Sequence, residues 1–206
     1  MTQASGFDLE YRNQELIDFF GLKLIFREEL RPNAIEGSKV YLVEKEKLYV
    51  VKFDVEKNIL RESRALKDLE GLDGVTQLVE VDVVDGIGYL LKTYEGSTLK
   101  NFNHRMLTGR MVRQLRSTLR KIHQHKICGL SIHSDDIAIR RDNASYIDFD
   151  AVYFIADDGL IENEDYETPL TAKNLIEDDN KRLDRLIKAN YKKLLGNQEK
   201  GHESYY

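Results

Sequence analysis

The stretch from Ile122 to Tyr153, IHQHKICGLSIHSDDIAIRRDNASYIDFDAVY, constrains this chain more than any other. It begins as the end of an amphipathic helix and passes through a polar loop, Ser131 to Asp135. Two short apolar runs follow, Asp136 to Ile139 and Ser145 to Ile147, joined by Arg140 to Ala144. Asp and Asn tolerate left-handed backbone angles, so Arg-Asp-Asn-Ala between two β-rich runs predicts a tight hairpin. The second run ends in Asp148-Phe149-Asp150, and the rest of the chain has to be arranged around this helix, loop and hairpin.

Upstream, the pattern is rich in strands. Residues 1–7 are polar, and Asp8 to Phe20 has the apolar spacing of a short helix stopped by Gly21. Leu22 to Phe26, Val40 to Val43 and Leu48 to Phe53 read as strands, with Pro32-Asn33 and Gly37-Ser38 in the loop after the first. Lys57 to Leu69 has the apolar spacing of a helix. The runs Val75 to Val84 and Ile87 to Leu91 flank Asp85-Gly86, a strong hairpin signal. Downstream the pattern turns helical: Thr108 can cap a helix reaching Gln124, with Met111, Leu115, Leu119 and Ile122 as its apolar stripe. Val152 to Ile155 is another apolar run, and Thr171 to Leu195 supplies one or two helices before a polar tail. The expected class is α+β: a five-stranded antiparallel sheet with one helix, then a mainly helical part from about residue 97.

Composition excludes some functions. A net charge of −5 argues against a nucleic-acid binder driven by phosphate neutralisation. No apolar run approaches the length of a membrane span, and the N-terminus lacks a charged-then-apolar signal pattern. A single cysteine, Cys128, rules out an internal disulfide and fits a reducing, cytoplasmic compartment, where its ordinary role is that of a small buried hydrophobe.

The order of these features resembles the protein-kinase-like superfamily over residues 22–155, and its compact atypical members most: the RIO, KEOPS-complex and lipopolysaccharide-type kinases. Val50-Val-Lys-Phe53 resembles the strand whose lysine contacts nucleotide phosphates, here Lys52, and Glu62 would be its helix partner. A lysine inside an apolar strand must either reach solvent or be paired. Lys92-Thr-Tyr-Glu-Gly-Ser-Thr-Leu99 resembles the hinge, so that the backbone of Lys92, Thr93 and Tyr94 would meet an adenine ring and Leu91 would line the pocket behind it. The phosphate-covering loop would have one glycine, Gly37. Asp148 falls on the metal-binding Asp of Asp-Phe-Gly, and Asp136 on the metal-binding Asn. The position of the catalytic base holds Ser131. A register making Asp135 the base puts Arg140 at the metal position and is rejected; His133 and Asp135 stand nearby as surrogates. The resemblance implies a bilobal fold with an N-lobe (1–91), a hinge (92–96) and a truncated C-lobe (97–206), with ATP and Mg²⁺ as cofactors.

Ser131 is a poor proton acceptor, and a positioned base is worth roughly 10²–10⁴-fold in rate. Three expectations follow: a pseudokinase that binds nucleotide and a protein partner, an active compact Mg-ATP phosphotransferase with a non-standard base, or an α+β domain that has lost nucleotide binding.

Overall fold

Between residues 25 and 93 the alternating apolar runs build one antiparallel sheet. Its strands are β1 (Ile25–Glu29), β2 (Lys39–Glu44), β3 (Leu48–Val55), β4 (Leu78–Val84) and β5 (Ile87–Thr93), in the order β1-β2-β3-β5-β4. Helix α1 (Asn13–Phe19) precedes the sheet, and α2 (Glu56–Asp68) lies between β3 and β4 in sequence. This computed structural model describes residues 13–30, 38–102, 107–162 and 171–201, with side chains described only from residue 15 and up to residue 190 at the two ends. The contacts divide the chain into two units, Met1–Ser63 with Gln77–Tyr94, and Arg64–Thr76 with Glu95–Tyr206.

The first unit explains its own boundaries. Gly21 adopts φ 64°, and the amides of Gly21 and Leu22 donate to the carbonyls of Asp18 and Ile17, a helix stop that suits glycine. Leu22 is thereby spent on closing α1, so the strand expected over Leu22 to Phe26 begins later, at Ile25. The expected helix start at Asp8 lies outside the described residues. Asp85 and Gly86 have φ 52° and 80° and join β4 to β5 by a two-residue turn, as the Asp-Gly pair predicts. Each outer strand carries a break in pairing register, between Phe26 and Glu28 in β1 and between Leu78 and Glu80 in β4.

Alternation sorts the sheet residues onto two faces. Val51, Phe53, Tyr89 and Leu91 pack with Leu16, Ile17 and Tyr41 in one apolar cluster that includes α1. The Phe20 ring lies 5.6 Å from Phe53 and 5.0 Å from Tyr89. Each such side chain contributes about 1.5–3 kcal/mol on full burial. The opposite face carries Lys52, Leu90 and Lys92 and is covered by α2. Gly88 permits the close approach: a Cβ there would lie 2.9 Å from Ile59 Cγ2 on that helix.

The second unit holds two small sheets and two long helices. β6 (Ser97–Thr98) pairs with β8 (Ile137–Arg140), which pairs with β9 (Asn143–Tyr146); β7 (Ile127–Cys128) pairs with β10 (Tyr153–Ile155), which pairs with β11 (Ile161–Glu162). The β8–β9 hairpin is the predicted one. Its left-handed residue is Arg141, with φ 58°, and neither Asp142 nor Asn143, because a primed turn of this sense needs positive φ at its first central position.

Helix α3 (Gly109–Gln124) starts as expected: Thr108 Oγ1 accepts from the Met111 amide at 3.2 Å. Its inner face holds the hairpin, with Gln114 Oε1 accepting from the Ala144 amide at 3.2 Å and the Tyr146 hydroxyl donating to the Leu115 carbonyl at 3.1 Å. Helix α4 (Ala172–Gly201) is a single helix. Among the described residues no helix is long and apolar enough to cross a membrane.

Candidate functional site

The first unit buries three charges together. Glu62 is 0 % exposed, Lys52 1 % and Lys92 5 %. Lys52 Nζ lies 2.9 Å from Glu62 Oε2, and Lys92 Nζ 2.5 Å from Glu62 Oε1, so each carboxylate oxygen receives one ammonium. Three features bring them together. β3 and β5 pair Lys52 with Leu90, which puts Lys92 two residues on along the same face. Gly88 admits Ile59, and Glu62, three residues further along α2, sits on the same helix face as Ile59. A buried lysine without a counter-charge would cost several kcal/mol, and both lysines converge on the buried Glu62. The expected Lys52–Glu62 pair therefore forms.

Lys92 does more than its sequence position implied. It was expected to offer backbone at a hinge, but β5 runs on to Thr93, and the Lys92 backbone pairs with Val50 on one side and Leu78 on the other. Thr93 is likewise held: its amide donates to the Gln77 carbonyl and its Oγ1 accepts from the Gln77 amide, both at 2.9 Å. Of the three expected hinge residues only Tyr94 lies beyond the strand. Leu91 was expected to line a pocket behind an adenine ring. It belongs instead to the apolar cluster with α1, on the face opposite Lys52, because odd and even residues of a strand point apart. Gly37 lies outside the described residues.

In the second unit the hairpin brings two acidic residues to one end. The Ile147 amide donates to the Asp136 carbonyl at 3.0 Å, so Asp136 stands opposite the residue before Asp148. Asp136 also closes the preceding loop: its Oδ2 accepts from the His133 amide at 2.9 Å, and its own amide donates to the His133 carbonyl at 3.2 Å. Asp135, next to it, pairs with Lys100 Nζ at 2.9 Å. Ser131 and His133 are exposed, and Phe149 is fully buried, which anchors the Asp148-Phe-Asp turn.

Asp179, on α4, is a buried acid that sequence reasoning missed. It is fully buried, and its Oδ2 takes His123 Nε2 at 3.0 Å and the Gly129 amide at 2.9 Å. Burial holds its carboxyl above the usual carboxylate range, opposed by His123 and the amides of Gly129 and Leu130. Burial, with Asp179 adding to it, pushes the Cys128 thiol up to about 12, so Cys128 behaves as an inert core group. Asp179 thus ties the end of α3 to the loop two residues before Ser131. The signal was present: Ile176, Asp179, Leu183 and Ile187 fall at helical spacing, so an acid occupies an apolar stripe.

Chemically, the first cluster fixes two ammonium groups on one buried carboxylate. At the hairpin end stand Asp136, whose Oδ2 accepts from the His133 amide, and Asp148. Among the described residues no group of three or more His, Cys, Asp or Glu side chains converges on one point. Two carboxylates with phosphate oxygens and water completing the shell is nevertheless an ordinary arrangement for Mg²⁺. The chain matches no family model, and a search of curated proteins gives no significant match.

Proposed function

We propose that this chain is a kinase-like nucleotide-binding domain in which binding has outlasted catalysis, a pseudokinase with a regulatory or binding role. The observation that carries this reading is the buried Lys52–Glu62 pair, an ion pair between the third strand and the following helix at 2.9 Å. In this reading Lys52 contacts the nucleotide phosphates, and Asp136 and Asp148 hold Mg²⁺, which neutralises phosphate charge when bound. The hairpin pairing that sets Asp136 beside the approach to Asp148 supports that assignment. Ser131 carries no charge and accepts a proton poorly, and Asp135 is engaged with Lys100. Phosphoryl transfer is accordingly slow or absent.

The test is thermal unfolding with ATP, with and without Mg²⁺, on the wild type, Lys52→Met and Asp148→Ala. The expected result is stabilisation by ATP that Lys52→Met abolishes, with its Mg²⁺-dependent part lost in Asp148→Ala. Radiolabelled ATP then separates the two functional classes: robust transfer by the wild type, abolished in Asp148→Ala, would make the chain an active phosphotransferase. No binding of ATP with either Mg²⁺ or Mn²⁺ would leave an α+β interaction domain without nucleotide.

A further inference from the structure

Helix α3 concentrates positive charge in a chain that is acidic overall. Between Gly109 and Gln124 it carries Arg110, Arg113, Arg116, Arg120 and Lys121 and no acid, against a net charge of −5 for the whole chain. All five are exposed. At about 100° per residue they span an arc of roughly 140° on the face away from the hairpin, and at 1.5 Å rise they extend over roughly 16 Å. Arg116 alone has an acidic partner among the described residues, Asp184 at 2.9 Å. The other described acids on α4 are engaged elsewhere: Glu177 with Lys181, Asp178 with Arg182 and Arg185, and Asp179 with His123. Among the described residues, then, Arg110, Arg113, Arg120 and Lys121 form a cationic ridge with no acidic partner.

Beside this ridge lies a groove of about 670 Å³ between α3 and α4, rimmed by Arg116, Arg120 and Gln124. Ile176 and the buried Leu183 give it a small apolar patch, Asp184 lines it in its pair with Arg116, and His123 and Asn180 are already held by Asp179 and by the Ile176 carbonyl. We propose that the α3 ridge and this groove dock an acidic protein segment that carries apolar side chains. Carboxylates meet the guanidinium forks, whose planar geometry suits them, and an aliphatic residue enters the groove. The apolar patch at Ile176 and the acidic balance of the chain favour a peptide over a nucleic acid, whose backbone has no aliphatic group to set against Ile176. Charge sets the rate and specificity of encounter, and the groove supplies burial.

The probe is a fluorescein-labelled peptide of about sixteen residues built from repeated Glu-Glu-Leu, followed by anisotropy with the full chain. Expected is binding at about 50 mM salt that weakens at least roughly tenfold by about 300 mM. Arg113→Glu with Arg120→Glu should lose at least roughly tenfold in affinity, and the neutral Arg113→Gln with Arg120→Gln pair less. Lys45→Glu, on an exposed turn of the first unit, should change nothing. Ile176→Ser should weaken the Leu-bearing peptide several-fold and leave a Glu-Glu-Ser peptide unchanged. Thermal melts confirm folding, since both substituted arginines are exposed and neither has an ion pair among the described residues. Undiminished binding to the charge-reversed pair, equal affinity for both peptides, or tighter binding of a single-stranded RNA or duplex DNA of equal charge would each overturn the proposal.

Discussion

Replacing Glu62 by Ala tests the physical account of the buried cluster most directly. The substitution removes the one carboxylate whose oxygens lie 2.9 Å from Lys52 Nζ and 2.5 Å from Lys92 Nζ. Deleting one partner of a buried pair costs about 3–5 kcal/mol, because a charge is left in a poorly solvated place. Here two ammonium groups share the loss, so the upper part of that range applies. At about 2–4 °C per kcal/mol for a chain of this size, the melting temperature falls by roughly 10–20 °C. Lys92→Met makes the contrast: it leaves Lys52 and Glu62 as a one-to-one pair and fills the space with a flexible apolar chain. Its effect should stay within about 1 kcal/mol in either direction. Far-UV circular dichroism against temperature and urea reads both. A Glu62→Ala loss below about 1 kcal/mol, or a Lys92→Met loss as large as that of Glu62→Ala, refutes the reasoning.

Two further outcomes are expected. Burial raises the Asp179 pKa, so the folded state holds that proton more tightly than the unfolded state does. The resulting stabilisation is complete below the unfolded pKa of about 3.9 and is lost as pH rises through the folded value. Wild type should therefore lose stability relative to Asp179→Asn as pH climbs from about 4, and a difference in urea midpoint that does not vary with pH would rule this out. Gly96 has φ 109°, and a Cβ there would lie 2.2 Å from the Ile139 carbonyl oxygen, whereas at Gly71, φ 74°, nothing lies within 4 Å. Gly96→Ala should cost about 3 kcal/mol or more and Gly71→Ala about 1 kcal/mol, so equal shifts in melting temperature would refute the close approach.

The parts of the fold legible in the sequence are those decided by local chemistry. Asp85-Gly86 requires left-handed backbone, Thr108 caps a helix, and the apolar stripe of α3 has one period, so each was readable without the others. Glu62 was legible because a strand lysine needs an acid and the next helix offers one at the right reach. The strand at Leu22 was misplaced because the helix cap used its first residues, a competition between two local patterns. Lys92 was read as backbone because Lys92 to Leu99 resembles a hinge leaving the sheet; only the pairing with β3 shows that it shares a face with Lys52. Asp179 sits among three consecutive acids, and its difference from Glu177 and Asp178 is which way the helix turns it. Strand order, and therefore which residues meet across the sheet, depends on long-range pairing that no window of sequence contains.

The two outer strands of the five-stranded sheet bear on what this protein does at high concentration. Each inserts one unpaired residue, Arg27 in β1 and Val79 in β4. Each also carries charge close to that bulge: Arg27 is paired with Glu44 and followed by Glu28 and Glu29, and Val79 is followed by Glu80 and Asp82. The exposed Ile25 and Val79 would otherwise mark both rims as places where another chain could add a strand. An incoming strand would meet a ladder that slips by one residue after a few pairs, with acidic side chains alongside it. Open-ended growth of sheet upon sheet, the route to fibrils, is thus blocked at both rims by a single inserted residue and its acidic neighbours.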